Sequence, residues 1–172
     1  MELRDYIFDF EPGALNEKAS MEDRIYESVR LTARLFAHAL AYQMPFSNAA
    51  TDLRCADESP EPAVHVRIKR ALMRTSLDES WGHLAGVLYW ITLVAGAAAA
   101  AANTASSSSS GTDVDPNTTT STLVPYEDIE ARKWLAAVTV RCTILRSFEH
   151  GAVMLGTLKK MVAIQQVLTQ KN

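Results

Sequence analysis

At 172 residues, with 48% hydrophobic and 22% charged side chains, the chain has the size and balance of one globular domain. Its formal net charge of −3 supplies no overall basic field to hold nucleic acid by its phosphates, and the acidity is too slight to call for a cationic partner. Cys55 and Cys142, the only cysteines, are too few and too far apart for a disulfide framework, and no CxxC or His-rich spacing suggests a metal site, so both read as reduced thiols of an intracellular protein.

Residues 1–20 read as an irregular lead-in punctuated by Pro12-Gly13. The opening MELRDYIFDFE carries acid where a signal peptide needs positive charge and an apolar run, so a secreted product is not expected. From there residues 21–172 read as a single α-helical domain. Ser20 offers an N-cap, and Asp23 puts acid in the first turn. Ile25, Val29, Ala33, Phe36 and Leu40 follow at spacings of four and three, the stripe of an amphipathic helix that Pro45 ends shortly after Met44. Arg24, Glu27, Arg30 and Arg34 fall off that stripe.

Residues 46–62 read as a loop, with SNAATD and the pair Pro60-Glu61-Pro62. In VHVRIKRALMRT, Val64, Val66 and Ile68 alternate as in a strand, but good helix formers from Arg67 onward favour a helix. Asp78 is a candidate cap for a further helix that begins near Trp81.

Leu84–Ala102 is a stretch of 19 residues without a charged side chain. It has the length of a membrane span, which needs roughly 17–25 apolar residues, and Arg67, Lys69, Arg70 and Arg74 precede it. Its second half is mostly alanine, which contributes little to insertion. A helix apolar on every side equally suits the centre of a bundle, with Gly86, Gly96 and the alanines admitting close neighbours. The buried core helix is the expected reading, and a single-pass membrane protein anchored by residues 84–102 is the alternative.

Residues 103–124 are dominated by Ser and Thr, with five serines in a row, and cannot bury enough apolar surface to offset the entropy of ordering. They read as a disordered, low-complexity insert. Pro125 then suits the first turn of a long helix, with Ala131, Trp134, Leu135, Val138, Cys142 and Leu145 on one face. A last amphipathic segment carries Phe148, Leu155, Leu158, Val162 and Leu168, its start blurred by Gly151 and Gly156, with Lys159 and Lys160 on a solvated face and Lys171 at its C-terminal end. The fold class expected is therefore all-α, a bundle of about four to five helices.

No motif specifies a reaction. His38 and Tyr42 are spaced by four, and His65 and His83 stand alone, without an HExxH pairing. Glu149 and His150 are adjacent and point two ways on a helix. No GxGxxG, GxxxxGK[ST] or GxSxG occurs, and Ser76 and Ser80 have no nucleophile context. The RIKR run, Arg67–Arg70, has charges that suit a phosphate but more often form a solvated face. Trp81, Tyr89, Trp90 and Trp134 read as core or interface anchors. No catalytic, cofactor-binding or metal-ligating residue is singled out, no cofactor is expected and the chain is not expected to be an enzyme. An enzyme would need His38, His65 or His83 to converge with a carboxylate in one pocket.

The segments IYESVRLTARLFAHAL, KRALMRTSLDESWGHLAGVLYWITLVAGAA, RKWLAAVTVRCTIL and GTLKKMVAIQQVL, in that order, resemble the fungal-specific transcription factor domain. This is the helical regulatory region that lies C-terminal to a binuclear zinc cluster. The resemblance covers roughly residues 22–50 and 65–168. Its most specific pieces are Trp81 with Leu88-Tyr89-Trp90 and the small Gly96-Ala97, and Arg132-Lys133-Trp134. These are packing signatures. The resemblance implies a nuclear, non-catalytic module acting through helix-mediated protein contacts, with the transcription machinery or another copy as partner. A helix-lined pocket could take a small effector, though no residue identifies one. The family's zinc cluster needs six closely spaced cysteines and this chain has two, so sequence-specific DNA binding is not carried over. The chain reads as the C-terminal part of a longer helical region, either a truncated or separate product or a fragment. A fragment would expose apolar faces and self-associate.

If the insert is solvated, deleting Ser106–Thr120 leaves the melting temperature nearly unchanged in a calorimetric scan, and a large drop shows that those residues pack.

Overall fold

The computed structural model describes residues 19–56, 62–99 and 126–170, with the backbone alone for Cys55, Ala56 and residues 146–149. The lead-in up to residue 18, residues 57–61, the Ser/Thr-rich insert, Pro125 and Lys171 lie outside the described residues. Among the described residues five helices follow in chain order: α1 (Met21–Tyr42), α2 (Phe46–Ala56), α3 (Val64–Met73), α4 (Ala85–Ala99) and α5 (Tyr126–Gln170). No strand occurs among the described residues, and the chain is all-α.

The start of α1 is the one the sequence predicts. Ser20 Oγ accepts from the Asp23 N–H at 3.2 Å, and Asp23 Oδ2 accepts from the Ser20 N–H at 3.0 Å, a reciprocal capping box. At the other end Gln43 turns left-handed, φ 52 and ψ 43, and the Met44 N–H donates to the Ala39 carbonyl at 3.0 Å. The helix is thus closed by its own backbone before Pro45 is reached.

The buried face of α1 is not the predicted stripe. Ser28, Leu31, Thr32, Leu35 and Ala39 are buried, while Ile25, Val29 and Phe36 lie along the edge and Leu40 is 42% exposed. The face is turned by about 100°, one residue's step around a helix. Two small polar residues can occupy it because Ser28 Oγ donates to the Ile25 carbonyl and Thr32 Oγ1 to the Ser28 carbonyl, each at 2.8 Å. Glu27 is also buried, held by the Arg30 guanidinium at 2.8 and 3.0 Å.

Residues 46–56, expected as loop, form α2. Phe46, Ala49, Ala50 and Leu53 recur at the spacing of one helical face, and all four are buried. The polar residues between them, Ser47, Asn48, Thr51 and Asp52, disguise the stripe in the sequence. The Phe46 ring stacks on Phe36 of α1 at a centroid distance of 5.7 Å, and Phe36 meets Trp90 of α4 edge-on at 5.8 Å.

Residues 64–73 are helical, as the helix formers in them favour. The helix expected from Trp81 begins later, at Ala85, after a run of turns. Trp81 is buried within those turns, its Nε1–H donating to Thr75 Oγ1 at 2.9 Å, so its indole anchors the loop. Asp78 does not cap α4. It pairs with Arg141 of α5.

α4 is the centre of the fold, in contact with each of the other four helices. Leu88, Tyr89, Ile91, Thr92, Val94, Ala95, Ala98 and Ala99 are all buried. The core-helix reading of this stretch matches its surroundings. No helix among the described residues is long and apolar enough to cross a membrane. The 15 residues of α4 span about 22 Å at 1.5 Å each, short of the ~30 Å hydrocarbon layer.

α5 is two arms in one run, broken at His150 (φ −136, ψ 29), where the adjacent Gly151 weakens the helix. The first arm packs Ala131, Leu135, Val138 and Cys142 inward as predicted, but Leu145 is 59% exposed. In the second arm the buried line is Met154, Met161 and Leu168, and the expected Leu155, Leu158 and Val162 are exposed. This arm touches the rest along a narrow seam, which accommodates one line of side chains only.

The helical reading of residues 46–56 is tested by Phe46→Ala. Emptying a fully buried aromatic position costs about 3–5 kcal/mol, read from urea unfolding. A loss under about 1 kcal/mol, the range of surface changes, returns the segment to a loop.

Candidate functional site

The histidines stand at separate places. His38 of α1 lies against Tyr42, ring centroids 4.5 Å apart, with Nε2 3.8 Å from Asp52 Oδ2 of α2. His83 and His150 line a 260 Å³ cleft between the turn before α4 and the break in α5. His65 belongs to a third place, at the start of α3. His38, His65 and His83 are therefore not brought into one pocket. Among the described residues, no group of three or more His, Cys, Asp or Glu side chains is placed to hold a metal ion.

The third place has the most developed electrostatics. α3 turns one side toward the first turn of α5, and three contacts join them. His65 Nε2 lies 3.1 Å from Asp128 Oδ1, Lys69 Nζ 3.4 Å from Glu130 Oε2, and Arg70 Nη2 donates to both Glu127 oxygens at 2.9 Å. Two charges of the RIKR run are thus committed to α5. The two exposed pairs orient the helices more than they stabilise them. The His65 contact is different because the residue is only 7% exposed. Its Nε2–H is off the line to Asp128, and Nδ1 is buried without a hydrogen-bond partner among the described residues. Burial pushes the His65 pKa below the ordinary 6.5; the Asp128 carboxylate opposes this, while Arg132 and Arg54 add to it.

Beside this contact one side of α2 and the ends of α3, α4 and α5 enclose a cleft of about 290 Å³. Its polar wall includes Ser47, Thr51 and Arg54 of α2, His65 of α3 and Asp128 of α5, and its apolar wall includes Ala98 and Ala99 of α4. Arg132 closes α4 next to it, donating Nε–H and Nη2–H to the Ala99 carbonyl at 3.0 and 2.6 Å. This satisfies a terminal carbonyl of a helix whose last turn brings no polar side chain of its own.

The second notable surface is the outer side of α5. Ala136, Ala137 and Val140 recur at helical spacing opposite the buried line and, with Leu145, border a shallow apolar groove. Val140 is 57% exposed, and beyond the break Leu155 is 52% and Val162 48% exposed. Apolar exposure thus continues along both arms.

Of the residues at the α3–α5 contact and the cleft, the sequence reading weighed His65 and, within the RIKR run, Lys69 and Arg70. Arg54, Ser47 and Thr51 were hidden because their segment read as loop, and the spacing Phe46-Ala49-Ala50-Leu53 was the signal that would have placed them on a helix. Asp128 and Arg132 stand out only through the packing of α5 against α3 and α4. Compared with protein-family models, curated proteins and solved structures, the chain matches none.

The lowered His65 pKa sets a pH dependence. The unfolded chain takes up the proton near 6.5, whereas the folded chain takes it up only at lower pH. The unfolded state therefore binds more protons in that window, and the contribution is fully present above 6.5 and lost as pH falls below it. Urea unfolding from pH 7.5 down to 5 is expected to show a decline that His65→Gln makes shallower. An identical decline in the variant would remove His65 as its source.

Proposed function

We propose that this chain is a non-catalytic, helix-built interaction module that works in transcription regulation, and that the outer face of α5 is the surface that meets its protein partner. The observation that carries the reading is the pair of apolar faces on one helix. One face, with Leu135, Val138 and Met161, is in the core; the other, with Val140, Leu155 and Val162, is about half exposed. Apolar exposure of this kind, present on each of the two arms, is characteristic of protein contact surfaces. A partner helix laying an apolar stripe along α5 would remove this area from water, at roughly 25 cal/mol per Å².

Placement in the nucleus and in transcription is supported by the resemblance of residues 22–50 and 65–168 to the fungal-specific transcription factor domain. Within those segments Trp81 and Leu88-Tyr89 are core residues, and Arg132 caps α4. The other residues named for the resemblance, Trp90, Gly96, Ala97 and Trp134, are half-buried, and Lys133 is exposed. These 172 residues contain two cysteines, so they do not themselves hold the zinc cluster, and the DNA contact in this reading lies outside them.

The reading is tested by joining residues 1–172 to an unrelated DNA-binding module and measuring a reporter in a fungal strain. The fusion is expected to change reporter output several-fold, and Val140→Asp with Leu155→Asp to abolish the change at equal protein level. A reporter indifferent to the fusion, or to both substitutions, would sink the proposal.

A further inference from the structure

The cleft between one side of α2 and the ends of α3, α4 and α5 has no part in the contact surface on α5. We propose that it is a binding site for a small monocarboxylate, anchored by the Arg54 guanidinium, with the Ser47 and Thr51 hydroxyls beside it and the alanine wall taking the apolar body.

The sign of the ligand follows from a count of the groups around the cleft. α3 begins there, with its N-cap Ala63 and its first-turn His65, while α2 lines the cleft along one side from Ser47 in its first turn to Arg54 in its last. Neither first turn contains an acidic residue. The N-cap of α3 is Ala63, which makes no side-chain hydrogen bond, and α2 is preceded by Pro45, whose side chain has no acceptor. α3 therefore brings the positive end of its dipole without a side-chain cap, the arrangement that receives anions. The negative end of α4 is also present, but Arg132 covers its Ala99 carbonyl. Among the described residues Arg54 has no hydrogen-bond or ion-pair partner, and it reaches the cleft from an exposed position. The buried imidazole of His65 stands in the wall with one nitrogen unsatisfied, a condition that a native interior rarely leaves without a partner.

The charge and size of the ligand follow in turn. Among the described residues, Arg54 and Asp128 line the cleft and balance each other, Arg132 beside it adds one positive charge, and burial favours the neutral form of His65. A monoanion balances that charge, whereas a dianionic phosphate would place its second charge beside the Asp128 carboxylate. A volume of about 290 Å³ is at the lower limit of the ~300–1,000 Å³ usual for small-molecule sites. The methyl walls of Ala98 and Ala99 suit a short aliphatic or aromatic group behind the carboxylate.

The experiment titrates the full chain with sodium benzoate and, separately, with inorganic phosphate, following histidine imidazole signals by NMR and heat by calorimetry. Saturable benzoate binding that shifts the His65 signals is expected, weakened about tenfold or more by Arg54→Gln, as loss of a charged hydrogen bond implies. Arg54 is exposed, so the variant keeps the fold, and an unchanged circular dichroism melt confirms that. Three results would overturn the proposal: no saturation with benzoate, binding indifferent to Arg54→Gln, or phosphate bound more tightly than benzoate.

Discussion

A helix without polar surface must be covered on every side, and this requirement organises the fold. α4 has no charged residue, and eight of its side chains are buried. Four helices supply the cover, each presenting an apolar line to it. The demand extends to the backbone. The last carbonyls of a helix have no partner within it, and water is scarce at a buried end. Arg132, reaching from α5 to the Ala99 carbonyl, meets the need that the alanine-rich end of α4 cannot meet itself.

The same guanidinium connects structure to electrostatics. It caps α4, lies in the field of His65, and belongs to the helix whose first turn holds Glu127 and Asp128, with Glu130 just after. Those carboxylates face His65, Lys69 and Arg70 of α3. Charge pairing at one end of α5 and apolar packing along its first arm together set its direction. The run of turns between α3 and α4 is held by one buried indole, Trp81 on Thr75, and by the exposed pair of Asp78 with Arg141.

Two surfaces remain after this packing is satisfied, and they differ in chemistry. The outer side of α5 is apolar and open, suited to a protein, where affinity comes from area and a few buried anchors. The cleft at the helix ends is polar and small, suited to an anion. They lie on different sides of the first arm of α5, which carries Asp128 at one and Val140 at the other. The cleft borders the first turn of α5, so an anion held there would act on the contacts that position this arm.

Much of the architecture was legible in the chain itself. The capping box at Ser20, the helical character of residues 64–73, the central place of the uncharged stretch and the inward face Ala131-Leu135-Val138-Cys142 all follow from local rules: oxygen at an N-cap, period 3.6, and exclusion of uncharged runs from water. Four features did not follow. The buried face of α1 is turned because Ser28 and Thr32 satisfy themselves on their own helix, which makes small polar residues compatible with a core. α2 was concealed by polar residues between four apolar ones. Trp81 lies in a turn, and the second arm of α5 buries Met154 and Met161 with Leu168, leaving Leu155 and Leu158 exposed.

Each of these depends on what lies opposite, and a single chain position does not encode its neighbour. Periodicity determined that helices form and that each has an apolar side. Which side is covered, which charge meets which, and where α2 and three helix ends leave a gap were decided only when α3 and α5 came together around α4, because burial and pairing are properties of the assembled surfaces.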